Sequence, residues 1–163
     1  YFVSHLASEF GQQCVVASMD VKSALDGTYQ VWSDCGSYCQ PGTATNWIEQ
    51  VTQDAIGEIY LNSMDRDGTG QGYDLGLLDL LPINMSKPVI LAGGVGNTTH
   101  LAAGLADARA DAVATAHLFN FVGDGLKQAR QSLISGGVDL PLWDIQLLEQ
   151  HLGIDHAREA KLD

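Results

Sequence analysis

Four short apolar runs punctuate the chain, each bounded by turn residues: CVVASM (14–19), EIYLNSM (58–64), PVILAG (88–93) and DAVATA (111–116). Brief, nearly all-apolar runs are what parallel strands buried on both faces require. Segments with helical spacing lie between them. Residues 44–55 place Trp47, Ile48 and Val51 on one face, and residues 74–82 carry leucine at 75, 77, 78, 80 and 81. Residues 97–108 open with Asn97 as an N-cap and then offer Leu101 and Leu105 to a core. Residues 122–135 repeat Leu126, Ala129 and Leu133. The alternation of strand and helix predicts βαβ units and a parallel sheet.

Two segments depart from that alternation. Asp26-Gly27 is a turn dipeptide between VKSAL and TYQVW, which predicts a small β-hairpin inserted before the first helix. The last residues, LWDIQLLEQHLGIDHAREAKLD, read as an added amphipathic helix packing Leu147, Leu148 and Leu152. We therefore expect one domain over residues 1–140, with residues 141–163 as a helical extension of it. The weak recurrence of strand, Asp or Gly-Gly, and helix suggests repeated units within one architecture.

Composition narrows the function. The 163 residues can bury a core of their own. A net charge of −12 with eight Lys plus Arg supplies no basic stripe for a phosphate backbone, so nucleic acid is not an expected partner. No apolar run nears the ~18 residues of a membrane span, and no signal peptide is visible. The chain opens without an initiator Met, as a fragment or a reading frame cut at its start would. Cys14, Cys35 and Cys39 are an odd set that favours a reducing, cytoplasmic setting over a disulfide framework. No Cys/His pair completes a tetrahedral set beside Cys35 and Cys39, so neither a metal nor a cofactor is expected.

In parallel α/β proteins ligands meet the carboxyl ends of the strands. The residues just past the predicted strands are Asp20; Asp65 and Asp67 with Gly68 and Thr69; Gly93, Gly94 and Gly96; and Ala116 and His117. Carboxylates thus share one rim with glycine loops that lead into helices, where bare amides can hold a phosphate. Two rival readings fall away. DRDGTG begins like a calcium loop, but its twelfth position is Gly76, where a bidentate Glu is required. GGVGNT is not the GxGxxG of a dinucleotide fold.

VVASMDVK (15–22), GEIYLNSMDRDGTGQGYDL (57–75), PVILAGGVGN (88–97) and ADAVATAHLFNF (110–121) together resemble the C-terminal half of the HisF family, the cyclase subunit of imidazole glycerol phosphate synthase. The resemblance runs to about residue 140 and implies an α/β fold that is half of a (β/α)8 TIM barrel. That half would hold about four parallel strand–helix units, a hairpin insertion and a C-terminal helix. It implies that Asp20 is one of two aspartates acting as general acid and base. It also implies that Asp67, Gly68, Gly93, Gly94, Ala116 and His117 lie in the region binding one phosphate of a bis-phosphate sugar, with Asn62, Asp65 and Thr69 lining the same rim. Glu58, at the opposite rim, matches a gate for ammonia from a glutaminase subunit of the HisH type. The implied reaction adds ammonia to a ribulosyl intermediate and yields imidazole glycerol phosphate and an aminoimidazole carboxamide ribotide.

Two other readings stand beside it. Val21 and Asn62 resemble a branch that delivers ammonia for amidation of a surface-polysaccharide sugar. The chain could instead be a non-catalytic half-barrel scaffold. On any of these readings four strands cannot close a cylinder, so the first and fourth should expose unpaired edges and uncovered inner faces. Either a missing N-terminal half-barrel or self-association as a dimer is then expected.

Overall fold

A computed structural model describes residues 2–116 and 125–141. Its centre is a six-stranded sheet in the order β3-β2-β1-β4-β5-β6. The strands are β1 (Val16–Ser23), β2 (Tyr29–Ser33), β3 (Tyr38–Cys39), β4 (Glu58–Ser63), β5 (Val89–Ala92) and β6 (Ala112–Val113). β1, β4, β5 and β6 run parallel, whereas β2 and β3 add to β1 as an antiparallel ribbon. The helices are α1 (Phe2–Phe10), α2 (Ala44–Thr52), α3 (Thr98–Leu105) and α4 (Gly125–Ser135).

All four predicted strands form, and the period of two along each decides which residues enter the core. Met19 and Val21 of β1, Ile59 and Leu61 of β4, and Val89 and Leu91 of β5 are buried in one cluster. Ala44 and Ile48 of α2, Leu101 of α3, and Ala129 and Leu133 of α4 cover them. Full enclosure of a side chain the size of Leu61 contributes about 1.5–3 kcal/mol. The intervening residues face the other way. Val16, Ser18 and Lys22 are exposed there, and Asp20, Glu58, Tyr60 and Asn62 are half-buried. The sheet therefore has one helix-covered face and one open face, as expected of four strands that do not close.

The helix starts follow their caps. Thr43 accepts from the Asn46 amide at 3.3 Å ahead of α2, and Asn97 accepts from the His100 amide at 3.0 Å ahead of α3, where a cap was expected. Residues 74–82 do not become an α-helix. Leu75–Leu80 form a six-residue 3-10 turn, and the chain turns extended at Leu81, before Pro82. α1 had no counterpart among the expected elements, and it buries none of its residues.

The hairpin corrects two expectations at once. Its first arm is the end of β1 itself, opposed to β2 over Asp20↔Trp32, Val21↔Val31, Lys22↔Gln30 and Ser23↔Tyr29. Asp20 thus lies inside a strand that runs on to Ser23, not just past its end. The edge of β1 expected to be bare is also paired over that upper half, because antiparallel pairing of the hairpin fills it. All but the first residue of the predicted helix over 141–163, His117 and the segment 118–124 lie outside the described residues.

Candidate functional site

The carboxyl ends of β1, β4 and β5 meet at one rim of the sheet. Asp20 and Asn62 are side by side in the parallel register, and Asn62 Nδ2 donates to Asp20 Oδ1 at 2.9 Å. That bond orients the half-buried carboxylate and leaves its second oxygen for other donors. Tyr60 precedes Asn62 by two residues and shares the open face. Burial, with the carboxylates of Asp67 and Asp20 nearby, raises its phenol above the ordinary value.

The loop after β4 is tied down at both ends. Asp65 Oδ2 accepts from the Ser23 amide at 2.7 Å, which anchors the loop to the end of β1. Thr69 is exposed and bonds back to its own loop, its hydroxyl donating to the Arg66 carbonyl at 2.6 Å and accepting from the Gln71 amide at 3.2 Å. Asp74 accepts from the Tyr29 hydroxyl at 2.9 and 3.1 Å, so the hairpin and the loop brace each other. Burial and the bonded carboxylate push the Tyr29 phenol up to about 12. Asp67 and Gly68 stay exposed at the outer turn, Gly68 at φ 73° with open space where a Cβ would stand.

Gly93 and Gly94 follow β5, buried and left-handed at φ 90° and 101°. A Cβ on Gly93 would come within 2.6 Å of the Ser63 carbonyl, and one on Gly94 would collide with the Gly72 carbonyl. The Gly72 amide donates to the Gly94 carbonyl at 2.7 Å. Glycine is therefore demanded here first by the interlocking of two rim loops, whereas the sequence pointed to bare amides for a phosphate. Both demands are compatible. Among the described residues the backbone amides of Gly68, Gly93 and Gly94 donate to no acceptor. The Gly96 amide, by contrast, is taken by Nδ1 of His100 at 3.2 Å. Ala116 is exposed at the end of the described segment beyond β6. Tyr73, whose hydroxyl donates to the Ala114 carbonyl at 3.0 Å, ties that segment to the rim.

Glu58 opens β4 at the opposite end, half-buried and opposed to Val16. The structure thus gathers Asp20, Asn62, Asp65, Asp67, Gly68, Thr69, Gly93 and Gly94 at one rim and sets Glu58 at the other. Sequence reasoning missed Tyr60, Tyr29 and Asp74. The alternation of Glu58, Tyr60 and Asn62 with Ile59, Leu61 and Ser63 was the signal for the first, since it marks one polar face within an apolar run. Among the described residues no helix is long and apolar enough to cross a membrane.

A family model described as histidine biosynthesis protein matches residues 1–123. The imidazole glycerol phosphate synthase subunit HisF of Chlorobaculum tepidum is 39% identical over 140 residues, 86% of this chain and 55% of that relative. The subunit of the same name from Chlorobium limicola is also 39% identical over 140 residues, with the same coverage of 86% and 55%. The chain spans about half the length of the curated relatives it matches.

Proposed function

The chain belongs to the histidine biosynthesis protein family, and from that premise we propose that it is the C-terminal half of a cyclase of the imidazole glycerol phosphate synthase type. The family fold is the TIM barrel, and the parallel strands β1, β4, β5 and β6 form part of one. The observation that carries the proposal is the rim itself. An oriented carboxylate, Asp20, shares one rim with glycine loops in which the Gly68, Gly93 and Gly94 amides have no acceptor among the described residues. Bare amides suit a phosphate, and a carboxylate beside them suits proton transfer on the same bound molecule.

On this reading Asp67, Gly68, Gly93, Gly94, Ala116 and His117 hold one phosphate of the ribulosyl bis-phosphate intermediate. Asp65 and Thr69 keep the loop in shape, and Asn62 orients Asp20. Asp20 gives or takes protons as ammonia adds, the ring closes and the carbon–nitrogen bond breaks. The products are imidazole glycerol phosphate and an aminoimidazole carboxamide ribotide. A second acid–base group and the second phosphate site come from an N-terminal half-barrel that covers the open face. Ammonia enters from a cytoplasmic HisH-type glutaminase at the opposite rim, past Glu58.

The test supplies ammonia and the ribulosyl substrate to the chain alone and to the chain joined to an N-terminal half-barrel of a HisF relative. Turnover in the joined protein and its absence in the chain alone is the expected outcome. No turnover in a joined protein that folds would overturn the assignment.

A further inference from the structure

The hairpin sets a second polar group beside Asp20. Trp32 is directly opposed to Asp20, and Gln30 to Lys22. Opposed residues of an antiparallel pair share a face, so Trp32, Gln30 and Lys22 all stand on the open face with Asp20. The Lys22 ammonium sits 5.4 Å from the centre of the Trp32 ring, within cation–π range. Lys22 has no carboxylate partner among the described residues, where both ion pairs belong to Arg109. The indole Nε1 of Trp32 is buried and has no hydrogen-bond acceptor among them. A buried donor left unmade is unfavourable, and a position that keeps one calls for a physical reason. Lys22, Gln30 and Trp32 line a cleft with Ser23, Ala24, Leu25 and Asp26 at the upper end of β1, and Asp20 is the strand neighbour of Trp32 outside that lining.

The donors and acceptors define what fits. Trp32 Nε1 and Lys22 Nζ only donate, and an ionised Asp20 only accepts. Asn62 has committed one of its two amide hydrogens to Asp20. The complementary ligand is planar, offers one neutral acceptor oxygen to the indole, one N–H to the carboxylate and an anionic oxygen to the ammonium. A primary carboxamide on a heterocycle supplies the first two together, and a phosphate on an attached sugar supplies the third.

We propose that Lys22 and Trp32 are specificity residues that recognise the carboxamide-bearing heterocycle of a phosphorylated sugar. Trp32 donates to the carboxamide oxygen, and Lys22 counters the anionic oxygens. This rests on the cyclase reading for the phosphorylated sugar and adds which residues read the ring. Because Nε1 is buried, its engagement requires the indole to turn toward the rim, and its emission reports that turn.

The experiment uses the chain with Trp47→Phe and Trp143→Phe, which leaves Trp32 as the sole tryptophan of the three. It is titrated with aminoimidazole carboxamide ribotide and, separately, with ribose 5-phosphate. The ribotide should shift Trp32 emission and bind about tenfold more tightly, the size of effect expected for one hydrogen bond to a buried donor. By calorimetry, Trp32→Phe, which keeps a ring and removes the N–H, should erase that preference while leaving ribose 5-phosphate binding unchanged. Lys22→Met should weaken both ligands. A preference that survives in Trp32→Phe and Trp32→Leu, or binding indifferent to Lys22→Met, overturns the inference and leaves the phosphate site standing. Failure of the unsubstituted chain to bind either ligand overturns the phosphate site, and the inference with it.

Discussion

Ile59 and Leu61 are wholly enclosed on one face of β4, while Glu58, Tyr60 and Asn62 stand half-exposed on the other. The two sets alternate along six residues of one strand. On the covered face each side chain meets helices and its identity sets stability. On the open face the neighbours are polar groups from β1 and from the rim loops, and on the proposed reading identity there sets chemistry. A pleated strand separates the two roles at no cost in backbone geometry, because successive side chains point to opposite sides.

That division is most severely tested at Asp20. In the chain joined to an N-terminal half-barrel, Asp20→Asn should lower turnover by about 10²–10⁴-fold, the usual scale of acid–base catalysis. Its denaturation midpoint should barely move, since an Asn side chain can still accept from Asn62. Undiminished turnover would remove Asp20 from the chemistry. The covered face should respond the other way. Leu61→Ala should cost about 2–5 kcal/mol in urea unfolding through the cavity it leaves. Tyr60→Phe, one residue away, should cost about 0.5 kcal/mol or less, as for a surface change, because its hydroxyl makes no hydrogen bond among the described residues. Equal losses at both positions would erase the distinction between the faces.

The rim lies between these extremes, since its loops serve both packing and the site. Gly94→Ala forces a methyl group toward the Gly72 carbonyl at a left-handed φ, and should cost about 1–3 kcal/mol. Faster hydrogen exchange at the Gly72 amide would show that the two loops had separated. The smallest effect belongs to the brace between hairpin and loop. Tyr29→Phe should cost about 1 kcal/mol near neutral pH. The Tyr29 phenol titrates at about 12 in the fold, against about 10 when unfolded. Its proton is held more tightly in the folded state. The brace is therefore intact below about pH 10 and lost as pH rises through the folded value. Ultraviolet titration of tyrosinate checks this, and Tyr29→Phe should remove that share of the alkaline loss.

Much of this was legible in the residues themselves. The four apolar runs marked β1, β4, β5 and β6 to within a few residues, and Asn97 marked the start of α3, because periodicity and capping are local. Asp26-Gly27 marked the hairpin for the same reason. The end of β1 was misplaced because Lys22 and Ser23 read as a polar loop. They are strand because β2 pairs with them, and pairing depends on a segment that the run itself does not contain. Residues 74–82 have a helix's leucine spacing, yet Asp74 caps a 3-10 turn and Pro82 follows directly. Asp67 and Gly94 could be picked out by their position after strands, and Asp20 as the carboxylate that ends an apolar run, although its strand runs on to Ser23. Tyr60 was marked only by the alternation along β4, and Trp32 not at all, since an aromatic in a strand reads as core until the open face is seen.

The sequence by itself determined the units: which runs are strands, where two helices begin, and which short loops carry glycine and carboxylate. Those properties arise from backbone preference and the spacing of apolar groups over a few residues. The tertiary structure alone decided that Gly93 and Gly94 must be glycine to let one loop lock against another. It also decided that Asp65 is a tie to β1 and that Lys22 and Trp32 share a face with Asp20. Each of these depends on contacts between residues far apart in the chain, whose geometry exists once strand register is set.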